Sequence, residues 1–414
     1  FVLFFNFVKN KIYDLRFLTS ISILFRVVFL LAIPNLSQDF YRFIWDGRMI
    51  LEGFNPYLYT VESFLMNSEL PVNQAQELYD GMGALNASHY TNYPPINQLC
   101  FVIAGLFAGK SILGSVVVMR ILIITADIGT LHFGKKLLER LNLPVHNIFW
   151  YILNPFIIIE LTGNLHFEGV MIFFLVWSLY LLHKGKWQWA AVVFALSVSV
   201  KLIPLIFLPL FYQWFTKEKS KLNWIPAFPN TTRLVGFHAI VGTVTLLFFL
   251  PFYSRTFVTN YAETVGLWFQ KFEFNASLYY IAREIGYTFR GYNEIAIIGR
   301  YIPWIVIGFV LLLALFRKNK TLPQLITAML LALSFYFFTA TTVHPWYITT
   351  LLLFSVFTNY RFPLVWSFVI ILSYLAYAND ANKENLWIIG LEYVIVYAAL
   401  IWDLLTQKFA KLKA

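Results

Sequence analysis

The chain has 414 residues, of which 59% are hydrophobic and only 13% are charged. Soluble domains carry roughly 25% charged residues, so this composition excludes an ordinary soluble protein and indicates a polytopic membrane protein. The formal net charge of +10 is spread over short segments between apolar runs, a distribution that argues against a nucleic-acid-binding module.

Apolar runs long enough to cross a bilayer as helices, about twenty residues each, recur along the chain. The first run has no small-residue cleavage pattern after it and is predicted to be a retained anchor. The stretch 187–216 is too long for one straight span and is interrupted at Lys201 and Pro204, so it predicts two short helices. Residues 96–108 are too short to span and predict a re-entrant or interfacial helix. The other predicted spans are residues 17–34, 112–133, 146–161, 167–183, 235–252, 301–316, 323–340, 346–358, 362–378 and 386–405.

The basic residues test the orientation of these spans. With the amino terminus on the cytoplasmic side, most of the 31 basic residues fall in cytoplasmic loops, as the positive-inside rule expects. The cluster Lys217, Lys219 and Lys221 is on that side only if 187–216 forms two helices. The remaining basic residues are diluted over a long second extracytoplasmic loop, 253–300, and a long first one.

We therefore predict an all-α polytopic membrane protein with about 12 transmembrane helices and a long first extracytoplasmic loop, residues 35–95. Residues 1–252 are expected to form a membrane catalytic module that includes this loop. Residues 253–414 are expected to hold the second extracytoplasmic loop and the C-terminal membrane helices.

The first loop carries two acids and two arginines between positions 39 and 48, just past a predicted membrane helix. Such groups are costly near a bilayer unless they line a hydrated cavity. Asp39 is the candidate general base, a role worth typically 10²–10⁴-fold in rate, and helix capping is the alternative. Asp46 is a second catalytic candidate, with a local ion pair and turn involving Arg48 as the alternative. Arg42 and Arg48 are candidates for binding a phosphate or for pairing with the two acids.

Three further segments are predicted to reach the same outer level of the membrane. Lys201 lies in an apolar run, where a lysine either meets an anion such as phosphate or extends to water. His166 and Glu168 stand in a glycine-flanked turn, where hydrogen bonds to sugar or phosphate compete with a solvated loop. His344 is a candidate phosphate ligand or the partner of a buried neighbour. The predicted substrate- and phosphate-binding residues are Arg42, Arg48, Tyr93, Asn164, His166, Glu168, Lys201, His344 and Tyr347.

Metal and nucleotide signatures are weak or absent in the sequence. The spacing of His166 and Glu168 has no second ligand pair, so no metal-binding residues are predicted, and a requirement for Mg²⁺ or Mn²⁺ is left open. The phosphate-binding loop, the dinucleotide fingerprint and the His-Glu-x-x-His motif do not occur. A transferase with its site on the outer face is therefore expected to use a sugar carried by a membrane lipid.

Several other polar residues favour structural roles. Arg120 and Asp127, seven residues apart in one predicted helix, indicate a structural pair or contacts within the helix bundle. Asn154, followed by proline, predicts a kink. Asn86 and Asn275 begin Asn-Ala-Ser strings in the outer loops, but matches to so short a glycosylation pattern often arise by chance.

A series of segments in the first half resembles a known superfamily. The acidic stretch 39–48 is followed by Gly-Phe-Asn-Pro-Tyr, Tyr-Pro-Pro, Tyr-Ile-Leu-Asn-Pro, Gly-Asn and Val-Lys-Leu-Ile-Pro, which lie at 53–57, 93–95, 151–155, 163–164 and 200–204. In this order they resemble the integral membrane glycosyltransferases of the GT-C superfamily. The likeness is nearest to the mannosyltransferase that starts the glycosylphosphatidylinositol mannose chain and to its bacterial polyprenyl-phosphate-mannose-dependent relatives. It covers roughly residues 35–210, with weaker similarity at 274–277 and 344–347.

The resemblance implies transfer of a sugar, expected to be mannose, from a polyprenyl-phosphate donor to a hydroxyl of a glycan or glycolipid, with inversion at the anomeric carbon. It implies Asp39 as the base and Lys201, with the arginines or His344, as the phosphate-binding residues. The acidic motif is looser than in the relatives, and His166 stands where they have an aspartate. The choice of base, the need for a metal and the sugar therefore stay open.

A transporter or flippase for polyprenyl-phosphate or lipid-linked sugars is the alternative function, because Lys201 stands at a predicted broken helix. The gathering of polar residues at one face and the lack of matching sequence halves favour the enzyme. The expected location is a bacterial inner membrane with the site facing the periplasm, and the lumenal face of the endoplasmic reticulum is the alternative.

Overall fold

The computed structural model describes residues 1–9, 14–66, 70–216, 231–378 and 383–412. Within these ranges the protein is helical, and its extended pairing is a single β-bridge between Phe274 and Thr342. The cluster Lys217, Lys219 and Lys221, on which part of the predicted orientation rests, lies outside the described residues.

The first half of the chain contains the helices that shape the first loop and the predicted catalytic module. In chain order they are α1 (Val2–Lys9), α2 (Leu15–Val27), α3 (Asp39–Leu51), α4 (Val61–Met66), α5 (Ala75–Ala87), α6 (Pro95–Ala108), α7 (Ile112–Arg140), α8 (Phe149–Ile152), α9 (Pro155–Ile157), α10 (Glu168–His183), α11 (Trp187–Val200) and α12 (Tyr212–Thr216). Two 3₁₀ segments, Val145–Ile148 and Ile203–Phe211, and a π-helical turn, Ile158–Gly163, connect some of them.

The second half continues with helices of the second loop and the C-terminal bundle. They are α13 (Thr231–Phe249), α14 (Arg255–Gln270), α15 (Leu278–Arg290), α16 (Ile295–Phe316), α17 (Leu322–Thr339), α18 (Thr349–Val356), α19 (Phe362–Val369) and α20 (Leu386–Leu412). The 3₁₀ segments here are Leu250–Phe252, Pro345–Ile348 and Ile370–Ala378.

Five helices are long and apolar enough to cross a membrane, namely Ile112–Arg140, Thr231–Phe252, Ile295–Phe316, Leu322–Thr339 and Leu386–Gln407. The pair Val145–Ile152 and Pro155–Gly163, bent by 51°, adds a sixth if it forms one span. An all-α protein with several membrane helices is thus confirmed for the described residues, at five or six spans by length and composition. The remaining predicted spans are shorter apolar helices, and α2 ends at Val27, short of the predicted 34.

Two predicted helix breaks are confirmed. Helix α11 ends at Val200, Lys201 has an extended backbone with φ −148° and ψ 140°, and a 3₁₀ segment starts at Ile203. Proline at 204 lacks an amide hydrogen and disfavours a helical residue before it, so it accounts for the change of helix type. The Asn154 side chain accepts the Phe156 amide hydrogen at 3.0 Å, which caps the helix that begins beyond the bend.

The first loop is folded and held against the helix bundle. Helix α3 packs on α5 and α6, and at Gly47 a Cβ would lie only 2.4 Å from the carbonyl oxygen of Phe101. The Phe43 ring stacks on Phe101 with 4.6 Å between ring centroids. Because only glycine permits this approach, the sequence at 47 fixes how closely the acidic helix lies on α6.

Buried charges inside the bundle are paired between helices. Arg26 of α2 contacts Asp127 of α7 with 2.6 Å between Nε and Oδ2. Arg120 instead donates to the carbonyl oxygens of Thr162 and Gly163, at 2.8 and 3.1 Å. Of the two roles predicted for Arg120 and Asp127, contacts within the bundle are confirmed, and the two residues do not pair with each other.

Candidate active site

A cavity of about 1450 Å³ lies where the first loop meets the helix bundle. Seven of the predicted site residues line it, and they come from segments far apart in the sequence. These are Asp39, Arg42, Tyr93, Glu168, Lys201, His344 and Tyr347. The predicted convergence of separate segments is therefore observed for these seven. The other four, Asp46, Arg48, Asn164 and His166, are buried but are not among the lining residues.

Asp39 is the first residue of α3 and faces the cavity. Its carboxylate makes no hydrogen bond to any described residue, and the N-cap position, Gln38, has no side-chain capping bond either. No capping hydrogen bond is therefore observed, and Asp39 lies in the first turn of α3, where the helix dipole favours a carboxylate. Burial raises the pKa of Asp39 to about 6, with Lys201 lowering the pKa and Glu168 adding to the rise. Such a carboxylate is ionised at neutral pH and basic enough to accept a proton.

Lys201 and Glu168 form an ion pair at the cavity wall. Lys201 stands at the break after α11, and Glu168 opens α10, where the helix dipole favours a carboxylate. The Glu168 Oε2 atom is buried without a hydrogen-bond partner among the described residues. The Lys201 side chain keeps 22% exposure, and its Nζ lies 5.9 Å from the Tyr347 ring centroid. The ammonium is therefore accessible from the cavity while one carboxylate holds it.

The two predicted histidines belong to one aromatic stack. The His344 ring lies 4.6 Å from Trp346 at an interplanar angle of 2°, and His166 lies 3.8 Å from the same indole at 17°. Burial, together with the charge of Lys201, lowers the pKa of His344 to about 3 and that of His166 well below its ordinary value. Both imidazoles are consequently neutral at physiological pH, and His344 can contact phosphate only as a neutral hydrogen-bonding group. The His344 Nδ1 atom has no hydrogen-bond partner among the described residues.

Asp46 lies two turns after Asp39 and takes part in a buried network. Arg42 Nε donates to Asp46 Oδ1 at 2.8 Å, and the Gln98 amide donates to Asp46 Oδ2 at 3.0 Å. Arg42 Nη1 also donates to the carbonyl oxygen of Asn86 at 2.8 Å. Of the alternatives for Arg42, pairing with an acid is the one observed. Asp46 pairs with Arg42, and the local pair expected with Arg48 does not form.

The other predicted residues outside the lining, and Tyr93, are held by nearby groups. Arg48 donates to the carbonyl oxygens of Asn73 and Lys110, at 2.6 and 3.0 Å. The Asn164 amide donates to the buried Glu160 carboxylate at 3.2 Å. The Tyr93 ring packs edge-on against Phe43, and its backbone carbonyl accepts the Tyr57 hydroxyl hydrogen at 2.6 Å. These contacts position the first loop and the turn before α10.

Sequence reasoning missed a second group of lining residues. Tyr374 and Tyr377 come from the 3₁₀ segment after α19, and Glu273 and Glu384 come from two loops. Tyrosines in an apolar run and isolated loop acids carry no local pattern, so only the fold brings these groups to the cavity. Glu160 did offer a signal, since an acid inside an apolar run is rarely accidental. Its carboxylate accepts the Tyr374 hydroxyl hydrogen at 2.8 Å.

Two further residue patterns are explained by the described structure. Asn275, the start of an Asn-Ala-Ser string, is fully buried, and its amide donates to Glu392 at 3.2 Å, so this string serves packing. Among the described residues, no group of three histidine, cysteine, aspartate or glutamate side chains converges as a metal site.

Residues 2–217, slightly over half of the chain, match the family model described as alpha-(1->6)-mannopyranosyltransferase, N-terminal domain. The chain belongs to this family. The resemblance noted in the sequence is thereby confirmed at the level of the family, and the matched region contains both Asp39 and Lys201.

Two curated proteins illustrate how distant the mannopyranosyltransferase relatives are. Alpha-(1->6)-mannopyranosyltransferase A of Mycobacterium tuberculosis is 21% identical over 199 residues, which cover 48% of this chain and 37% of that protein. The protein of the same name from Corynebacterium glutamicum is 25% identical over 201 residues, which cover 45% of this chain and 36% of the relative. The similarity thus spans a little over a third of each relative, and both relatives are bacterial.

Proposed function

We propose that the protein is an inverting mannosyltransferase that moves mannose from a polyprenyl-phosphate donor to a hydroxyl of a glycan or glycolipid acceptor. The observation that carries the proposal is the joint position of Asp39 and Lys201 on one cavity, within a region that matches a mannopyranosyltransferase family. A base and a cation on the same cavity are the two groups that glycosyl transfer from a phosphate leaving group requires.

In the proposed reaction the Asp39 carboxylate accepts the proton of the acceptor hydroxyl. The hydroxyl oxygen then bonds to the anomeric carbon of mannose, while the bond from that carbon to the phosphate oxygen breaks. The departing lipid phosphate gains negative charge, which Lys201 offsets as an accessible ammonium. Glu168 keeps the ammonium at the cavity wall before the donor arrives, and neutral His344 adds a hydrogen-bonding group.

The donor lipid fits the apolar part of the same cavity. The 3₁₀ segment Ile203–Phe211 packs on α16, and Leu205, Ile206 and Ile307 line the cavity there. Leu205 and Ile307 are also 41% and 48% exposed, as expected of side chains that face lipid. An isoprenoid tail lying between these elements keeps its phosphate near Lys201, which adjoins the same 3₁₀ segment.

The proposed site does not depend on a divalent cation. Charge on the leaving phosphate is assigned to Lys201, because the acids lining the cavity are dispersed or paired with other groups. Asp46, the second catalytic candidate, is assigned a positioning role through its ion pair with Arg42. Arg48, Asn164 and His166 are assigned to the support of the loops that carry the lining residues.

For the membrane, we propose that the shorter apolar helices complete about 12 crossings, with the site on the extracytoplasmic face. The bacterial origin of both relatives favours an inner membrane with a periplasmic site. We propose that residues 1–252 and 253–414 are successive parts of one membrane protein. Both contribute to the site, because lining residues such as His344 come from the second part.

Transfer of radiolabelled mannose from polyprenyl-phosphate-mannose by the purified protein tests the proposal. Asp39→Asn is expected to abolish most transfer, whereas Glu52→Gln, an exposed acid at the end of the same helix, is expected to retain it. Equal transfer by Asp39→Asn and the wild type would remove Asp39 from the base role and make Asp46 the next acid to test. Movement of intact donor between leaflets of vesicles without sugar transfer would indicate a flippase instead.

A further inference from the structure

Five aromatic rings form a continuous row beside the proposed reaction centre. After His166, Trp346 and His344, the row continues with Phe274, whose centroid lies 5.0 Å from His344 at 27°. Tyr377 follows at 5.6 Å from Phe274 and 22°. All but His166 line the cavity. The three inner rings have neighbours on both faces, and His166 at the other end is buried. Tyr377, which is 49% exposed, is therefore the ring of the row with a face accessible to a ligand.

The backbone fixes the end of this row. The Phe274 amide donates to the Thr341 carbonyl oxygen at 3.0 Å, and the Val343 amide donates to the Phe274 carbonyl oxygen at 2.8 Å. These bonds join the second loop to the segment that precedes His344. Phe274 is thereby locked between His344 and Tyr377, so that Tyr377 rests on a rigid support.

Polar groups suited to hydroxyls line the same cavity as Tyr377. The Tyr374 ring lies 6.0 Å away and donates its hydroxyl to Glu160. Glu384 and Glu273 also line the cavity. Glu384 accepts hydrogen bonds from the Asn275 amide at 2.6 Å and from the Tyr280 hydroxyl, and Glu273 is held by Arg283 at 2.7 Å and by the hydroxyl of Tyr279 and the amide of Asn293. A carboxylate fixed in this way retains free lone pairs that can accept sugar hydroxyl hydrogens.

This polar group belongs to different elements from the apolar part of the cavity. The 3₁₀ segment that carries Tyr377 packs on α19, α20 and the Pro345–Ile348 turn. The apolar lining comes from the Ile203–Phe211 segment and α16, which pack on each other. Asp39 lies on the same cavity as both sets. A base located in this way can serve an acceptor that sits on the polar side.

Resting on the proposed transferase function, we infer that Tyr377, Tyr374, Glu384 and Glu273 form the acceptor subsite and bind the end of a neutral glycan. The exposed Tyr377 ring supplies a flat apolar surface for one face of a pyranose, and the carboxylates accept its hydroxyl hydrogens. A negatively charged acceptor end is disfavoured, because acids outnumber the cations that line the cavity and both lining cations, Arg42 and Lys201, are already paired.

Acceptor kinetics of the full chain with synthetic octyl α-(1→6)-dimannoside test the inference. Tyr377→Ala is expected to raise the acceptor KM about tenfold, the effect of losing roughly 1.4 kcal/mol of binding, while the KM for the lipid donor changes less than about twofold. Tyr377→Phe, which keeps the ring, is expected to stay within about threefold of the wild type. Tyr253→Ala removes another exposed tyrosine, at 67% exposure, that does not line the cavity and is expected to change neither KM.

Calorimetric binding of the same dimannoside separates this inference from the proposed function. If the wild type transfers mannose but Tyr377→Ala leaves the acceptor KM unchanged, or raises only the donor KM, the subsite is overturned and the transferase stands. If the wild type transfers nothing, the transferase fails, and weaker dimannoside binding by Tyr377→Ala still supports a glycan site whereas unchanged binding overturns it. A dimannoside sulfated on its outer sugar is expected to bind at least about tenfold more weakly than the unsulfated one. Equal binding of the two would overturn the inference that the subsite takes a neutral glycan.

Discussion

The pH dependence of transfer should report the environment of Asp39. With the pKa of Asp39 at about 6, the carboxylate is ionised in about nine molecules of ten at pH 7 and in about one of ten at pH 5. If Asp39 is the base, kcat/KM falls about tenfold between these values, because only the ionised form accepts the proton. Asp39→Asn should lower kcat by about 10²–10⁴-fold. It should also remove the fall of kcat/KM at acidic pH, which is the acidic limb of the pH profile.

The neighbours of Asp39 should move the limb in opposite directions. Lys201 lowers the pKa of Asp39 by stabilising its charge, so Lys201→Met should shift the acidic limb to higher pH. Glu168 raises the same pKa, so Glu168→Gln should shift the limb to lower pH. In each variant the removed partner leaves the other charge unpaired, which strengthens the shift in the stated direction.

The assay measures initial rates of radiolabelled mannose transfer from pH 4.5 to 8, with the donor well below its KM so that kcat/KM is obtained. Glu52→Gln serves as the matched control, since its exposed carboxylate should leave the limb unchanged. An acidic limb that persists in Asp39→Asn, or that moves the same way in both neighbour variants, would refute the assignment of the base.

Four further outcomes test the fold and the chemistry. Asp39→Asn should raise the free energy of unfolding at pH 7 by up to about 3 kcal/mol, because the raised pKa of Asp39 penalises its ionised form in the folded state. The gain should vanish below about pH 4, where the carboxyl is protonated in the folded and the unfolded state. Chemical denaturation in detergent at the two pH values measures the difference. Arg26→Met should cost about 3–5 kcal/mol by stranding buried Asp127, and adding Asp127→Leu should restore most of the loss; a double variant no better than the single one would contradict this. Gly47→Ala should destabilise by about 1–3 kcal/mol, whereas Gly242→Ala, with open space around it, should not, and equal thermal shifts for both would argue against the close approach at 47. Removal of divalent cations by a chelator should leave transfer unchanged, and a loss reversed by Mg²⁺ would assign the phosphate charge to a metal instead.

Local sequence rules predicted some features of the site well. The break at Lys201 follows from a proline three residues later and from the length of the apolar run, both visible without any partner. Asp39 could be singled out because an acid beside a membrane helix is costly unless it is used. Composition predicts the apolar helices but not which of the shorter ones cross the membrane, because short helices that pack inside a bundle have the same composition as spans.

The side of the cavity that we propose for the acceptor could not be predicted from the sequence, for a physical reason. Tyr377 meets Phe274 across more than a hundred intervening residues, and neither residue stands in a pattern that specifies the contact. The ion pair of Arg42 with Asp46 was within reach, since residues four apart on a helix face each other. The sequence alone could not decide between that pair and one with Arg48, because the choice depends on which side of α3 meets α6.

The buried network beneath Asp39 supports the positioning role that we propose for Asp46. Asp46 neutralises Arg42, and Arg42 in turn donates to the backbone carbonyls of Asn86 and His89, at 2.8 and 3.1 Å. Asn86 and His89 also line the cavity, so the Arg42 guanidinium connects α3, which carries Asp39, to this part of the cavity lining. Without the Asp46 carboxylate the buried Arg42 guanidinium would be unpaired, which is energetically unfavourable. The contacts of Arg42 that hold the helix carrying Asp39 in place would then be destabilised. If Asp46 has this positioning role, Asp46→Asn should lower activity and the residual activity should keep the fall at acidic pH expected from Asp39. If Asp46 is instead the base, that fall should be lost.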